Sequence, residues 1–142
     1  MTYTDIVSFK SVLDRGQFYS YAPAPLRAFL ECLSLYRANH LDNIPLTVTS
    51  FHREKKEGDA PSFHHDNRAI DIRTHDISAG HLVILVGYAR ILAKQINVVL
   101  KDDAIEIDAH DVGSKQNLIG TPNAHIHIEL DDGRYHAGKV IA

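Results

Sequence analysis

Two short runs of this chain gather side chains that bind metals and move protons. The first, PSFHHDNRAIDIRTHD (Pro61 to Asp76), holds His64, His65, Asp66 and Asp71. The second, HIHIEL (His125 to Leu130), has a period of two. On a strand Ile126, Ile128 and Leu130 face one way, and His125, His127 and Glu129 face the other. The apolar face must be buried, so the histidine face lines a cleft or meets solvent. In the first run His64 stands just before a strand-like segment, RAIDIR, whose polar face carries Asp71. If the two segments are neighbours in one sheet, His64, Asp71 and His127 can form a three-ligand set. Three nitrogen or oxygen ligands with one open position hold a catalytic zinc, whose bound water ionises near neutrality. Each run alone also fits a solvated loop or a hydrogen-bonded histidine pair. The residues by themselves leave both readings open.

The other histidines carry weaker signals. There are ten in all, and histidine is the commonest metal ligand, but only spacing singles any out. His65 adjoins a proposed ligand, and the spacing selects His64. His52 lies beside Arg53 and is placed at the edge of a cleft. His40 falls near a helix end, where a positive charge is favourable. His75, His81 and His136 have no partner that the sequence names.

These side chains need a scaffold. The chain has 142 residues, enough for one domain with a real core and no staples. A net charge of −3 without a broad basic cluster argues against a nucleic-acid surface. The single cysteine, Cys32, excludes an internal disulfide and reads as a small apolar residue in a helix. The start lacks a basic, apolar leader and no long apolar run follows. Neither a signal peptide nor a membrane span is expected, and synthesis in a cytoplasm is implied.

PAPLRAFLECLSLYRANH predicts a helix, with Leu26, Phe29, Leu30 and Leu33 at helical spacing and Pro25 in the first turn. SAGHLVILVGYARILAKQI predicts another, with Ser78 as its cap and Leu82, Leu85, Val86, Ala89 and Ile96 on the buried face. Strands are expected at LTVTSF (Leu46 to Phe51), RAIDIR, NVVLK, AIEIDAH and HIHIEL, and a turn with a short strand at the end, DGRYHAGKVIA. On AIEIDAH, Ile105 and Ile107 oppose Glu106, Asp108 and His110. Asp111 to Ala124 reads as a long loop. The mixed order of elements predicts an α+β fold, a small antiparallel sheet with helices packed on one face.

SFHHDNRAID resembles the S-x-H-x-x-G-x-A-x-D motif of the zinc D-Ala-D-Ala peptidases, with Ser62, His64, Ala69 and Asp71 in the matching places. AHIHIEL resembles the H-x-H strand of murein endopeptidases of that superfamily and of the amino-terminal domain of Hedgehog signalling proteins. FHHDNRAIDIRTHD is also similar to the Hedgehog version, and TVTSFHR to the T-S-G-Y-R segment of the bacterial peptidases. The resemblance runs from about Leu46 to Leu130. It implies a single zinc-peptidase-like domain over residues 1–142, with Zn2+ held by His64, Asp71 and His127. Arg53 would take the place of the arginine that holds the substrate carbonyl or its oxyanion, which suits a guanidinium aimed at developing negative charge. His125 would stand beside the metal water, where a histidine moves protons.

The sequence departs from the pattern in two ways. Asn67 stands at the motif glycine, a mild change because asparagine tolerates left-handed backbone. The usual glutamate base is missing: Ala124 and Thr121 occupy the two positions that branches of the superfamily use. Glu106, Asp108 or His125 would have to replace it, while Glu129 points with the histidines and could orient His127. The resemblance therefore implies a peptidase acting on peptidoglycan stem peptides. The alternative is a binding or structural module that keeps the zinc without catalysis. The loop 111–124 could close over substrate. A short leaderless catalytic domain would suit a phage enzyme working at the cell wall.

Overall fold

The computed structural model describes residues 7–109 and 125–133. The described elements are β1 (Ser8–Phe9), α1 (Val12–Tyr21), α2 (Ala24–His40), β2 (Thr47–Ser50), a 3-10 turn at Phe63–Asp66, β3 (Ala69–Arg73), α3 (Ala79–Asn97), β4 (Ala104–Asp108) and β5 (His125–Asp131). The strands form one sheet in the order β1-β2-β3-β5-β4. This is the expected α+β arrangement, with one difference. The pairs β2–β3, β3–β5 and β4–β5 are antiparallel, but β1 runs parallel to β2, so the sheet is mixed. A parallel pair needs a crossover connection, and α1 and α2 supply it.

The long helices form as their apolar spacing dictates. Leu26, Phe29, Leu30 and Leu33 of α2 are fully buried, and so are Leu85 and Ala89 of α3. They share one core with Val48, Ile70, Ile72, Ile126, Ile128 and Leu130, the inward side chains of the three middle strands. Ser78 caps α3, its hydroxyl accepting from the His81 amide. His81 does have partners: its ring lies 3.0 Å from Ser78 Oγ and 3.2 Å from Asp42 Oδ2. His40 ends α2, its ring against Tyr36.

One helix and one strand were not expected. The helix α1 buries only Phe18, while Val12 and Leu13 lie exposed, so no apolar stripe announces it. Its signal is the cap, since Ser11 Oγ accepts from the Asp14 amide at 3.2 Å. The strand β1 has two residues, too few for any alternation. One expected strand is absent. NVVLK does not extend the sheet: α3 runs to Asn97, and Val98 and Val99 lie exposed in the turn after it. The Asn97 amide does a strand's work there. It donates to Ile105 O at 3.1 Å and accepts from Ile105 N at 2.7 Å, satisfying that backbone at the edge strand β4. The expected loop 111–124, the expected final turn and strand, and His110 and His136 lie outside the described residues.

Candidate metal centre

The register of the sheet assembles the centre. Asp71 on β3 pairs with His127 on β5, and His127 pairs with Asp108 on β4. Arg73 faces His125 in the next row. Ile70, Ile72, Ile126 and Ile128 belong to the helix-side core, so alternation sends Asp71, His125, His127 and Glu129 to the other face. A register shift in β2 between Val48 and Ser50 brings Ser50 beside Asp71 and turns the chain towards Arg53.

His64 arrives from the 3-10 turn. Ser62 Oγ accepts from its amide at 3.2 Å, and Asn67 ends the turn in left-handed backbone at φ 62°. Its side chain is buried, with Nδ1 2.7 Å from Phe51 O. A carbonyl only accepts, so Nδ1 carries a proton. Nε2 is then turned to Asp71 Oδ2, 3.2 Å away, yet makes no hydrogen bond. A bare nitrogen facing a carboxylate in a buried site calls for a cation between them, a second proton or a metal ion.

His127 completes the set. Its Nδ1 lies 2.8 Å from Asp71 Oδ1 and its Nε2 2.8 Å from Glu129 Oε1. Burial alone would lower the basicity of this imidazole. The hydrogen bonds to Asp71 and Glu129, with their charges, outweigh burial and raise its pKa to about 9. Burial likewise favours a neutral Asp71, but the hydrogen bond and charge of His127 hold that carboxyl well below the usual range, and a proton on His64 Nε2 would add to this. Each histidine thus turns one nitrogen towards Asp71 and the other to a fixed acceptor, Phe51 O for His64 and Glu129 for His127. Partners of that kind orient metal-binding imidazoles. The ligand atoms of His64, Asp71 and His127 all lie within 4.8 Å of one another, and the group could hold a metal ion.

The other expected residues surround this group to different degrees. Arg53 donates from Nη2 to Asp71 Oδ2 at 2.9 Å and from Nε to Ser50 Oγ at 3.1 Å, with its side chain half exposed. His125 stands with Nε2 3.9 Å from Asp71 Oδ1, one-third exposed. Asp108 is exposed in the same cross-strand row as His127. Glu106 is one row removed, opposite Glu129, in an acidic group with Glu129 and Asp131. A cleft of about 580 Å3 opens beside Arg53, lined by Arg53, Glu54, Lys56, Asp59, Ala60, Ser62 and His65. His52 is not among its lining residues; its ring lies 2.7 Å from Asn67 Oδ1. Two contributors were not read from the sequence. Phe51 acts through its backbone carbonyl, which no residue type reveals, and Ser50 reaches the site through the irregularity in β2.

Two measurements probe this geometry directly. The pKa of His127 is raised from 6.5, so its interactions stabilise the metal-free protein fully below about pH 6.5 and are lost as pH rises through about 9. That of Asp71 is lowered from 3.8, so its share is present above that value and lost as pH falls below it. Metal-free protein is expected to melt highest between about pH 4 and 6.5, and several degrees lower by about pH 9.5, in a thermal-melt series. Glu129→Gln leaves His127 a weaker acceptor. It is expected to reduce metal affinity about 10- to 100-fold in a chelator competition.

Among the described residues no helix is long and apolar enough to cross a membrane. The chain matches no protein-family model and no curated protein.

Proposed function

We propose that this protein is a zinc-dependent peptidase that hydrolyses peptidoglycan stem peptides. The observation that carries the reading is the buried, unbonded Nε2 of His64 aimed at the carboxylate that His127 also grips. Two imidazoles and one carboxylate form the donor set of a catalytic zinc, each with an outer partner. The motif resemblance of SFHHDNRAID and AHIHIEL adds the substrate class. A bound zinc would act as a Lewis acid and lower the pKa of a water.

The chain's own groups would do the rest. Arg53 sits on the open side of Asp71 with N–H donors to spare, placed to hold a substrate carbonyl and the negative charge that grows on it. His125, one-third exposed with Nε2 3.9 Å from Asp71 Oδ1, would carry a proton from water to the leaving amine. Asp108, beside His127, is the carboxylate best placed to share that task. Glu106 is less well placed, since it stands beside Glu129 rather than beside the ligands. The cleft next to Arg53 would seat part of the peptide.

The test is a digestion of soluble muropeptides by zinc-loaded protein, read by mass spectrometry against a chelated control. A zinc-dependent product supports the enzyme and identifies the bond cut. Zinc held tightly with no product favours a second reading, a module that keeps the metal and has lost catalysis. Alanine and threonine where the superfamily places its glutamate are the observation behind that reading.

A further inference from the structure

The segment that carries Arg53 and the turn that carries His64 lie at the two ends of one loop and are stitched together by three described bonds. His64 Nδ1 donates to Phe51 O at 2.7 Å, and Arg53 N donates to His64 O at 3.3 Å. The third joins two side chains: His52 Nδ1 lies 2.7 Å from Asn67 Oδ1, which accepts its proton. Asn67 also closes the 3-10 turn, its amide donating to His64 O from left-handed backbone at φ 62°. Its position needs a residue that tolerates positive φ, and glycine would meet that need with less strain. A glycine could not hold His52.

We propose that His52 and Asn67 form a clasp that positions the metal centre. The pair keeps Phe51 O against His64 Nδ1 and so keeps His64 Nε2 turned to Asp71. On this view Asn67 is a positioning residue in both its backbone and its amide, and His52 acts through it without touching substrate or metal. The His52 amide, 3.4 Å from Asp14 Oδ1, ties the same segment back to α1. The inference rests on the metal-centre reading of His64, Asp71 and His127.

The experiment measures zinc affinity by chelator competition for the wild type, Asn67→Gly, Asn67→Asp, His52→Ala and the double variant His52→Ala/Asn67→Gly. Cobalt substitution reports the ligand geometry by its visible spectrum. Asn67→Gly is expected to bind zinc roughly fivefold more weakly, the worth of one hydrogen bond, with an altered cobalt spectrum. Its metal-free melting temperature should stay near that of the wild type, because glycine suits the turn. Asn67→Asp, which keeps an acceptor on a residue that tolerates the turn, should bind zinc at least as tightly as the wild type. His52→Ala should match the glycine variant, and the double variant should be no weaker than either. Wild-type affinity in Asn67→Gly, or additive losses in the double variant, overturns the clasp. A wild-type protein that takes up no zinc overturns the metal centre itself, and the clasp with it.

Discussion

Asp71→Asn is expected to abolish zinc binding and to lower the stability of the metal-free protein by about 3–5 kcal/mol, the range for breaking a buried ion pair from one side. Asp71 is almost wholly buried and receives hydrogen bonds from His127 and Arg53, with His64 Nε2 3.2 Å away. The amide has nearly the same shape but no charge, and it must turn an NH2 towards one of these donors. His127 then keeps a positive charge with Glu129 as its remaining carboxylate in that contact. Most of the loss comes from His127, since Arg53 is half exposed and its pairing is worth less in water. His64→Ala separates the two effects. It removes a proposed metal ligand whose Nε2 makes no hydrogen bond in the metal-free form. Zinc binding should be lost there too, with the stability cost reduced to lost packing and the Phe51 contact. Zinc titration followed by calorimetry checks the first effect, and chemical denaturation in chelator checks the second. Tight zinc in Asp71→Asn would remove the aspartate from the ligand set.

The contrast between those two variants shows what the sequence could and could not reveal. Ile126, His127 and Ile128 alternate plainly, so the face on which His127 lies was legible before any fold. Asp71 follows the same logic on β3. That these strands are neighbours was a supposition, and the register of β3 and β5, with Asp71 opposite His127, makes it good. The left-handed backbone at Asn67 was foreseeable from residue type. What escaped was whatever acts through the backbone or through few residues. The Phe51 carbonyl fixes the proton on His64, yet any residue at that place has a carbonyl. The shift in β2 that brings Ser50 to Asp71 leaves no mark in TVTS. One buried residue makes no stripe, so the sequence does not announce the helix α1. NVVLK looked like a strand because β-branched residues favour one, but Asn97 had already met the edge of β4.

If the protein is the zinc peptidase proposed above, Arg53→Lys is the variant expected to affect cleavage most while leaving the metal in place. Arg53 is not a ligand, so zinc should still bind with one ion per chain and at most a small change in affinity. Its guanidinium spans Asp71 Oδ2 and Ser50 Oγ with two different nitrogens, an arrangement a single ammonium cannot reproduce. Held in that way, the planar group has its direction fixed before substrate arrives. Donors fixed before the reaction are worth most where negative charge develops, and losing one costs about 10²- to 10³-fold in rate. The expected result is a turnover number on muropeptides reduced by that factor, with KM changed much less, because the interaction strengthens only as the carbonyl becomes an oxyanion. A rise in KM alone would make Arg53 a substrate-binding residue. Loss of zinc would show instead that its main work is to hold Asp71 in place, and the oxyanion would then need another donor on the open side of the centre.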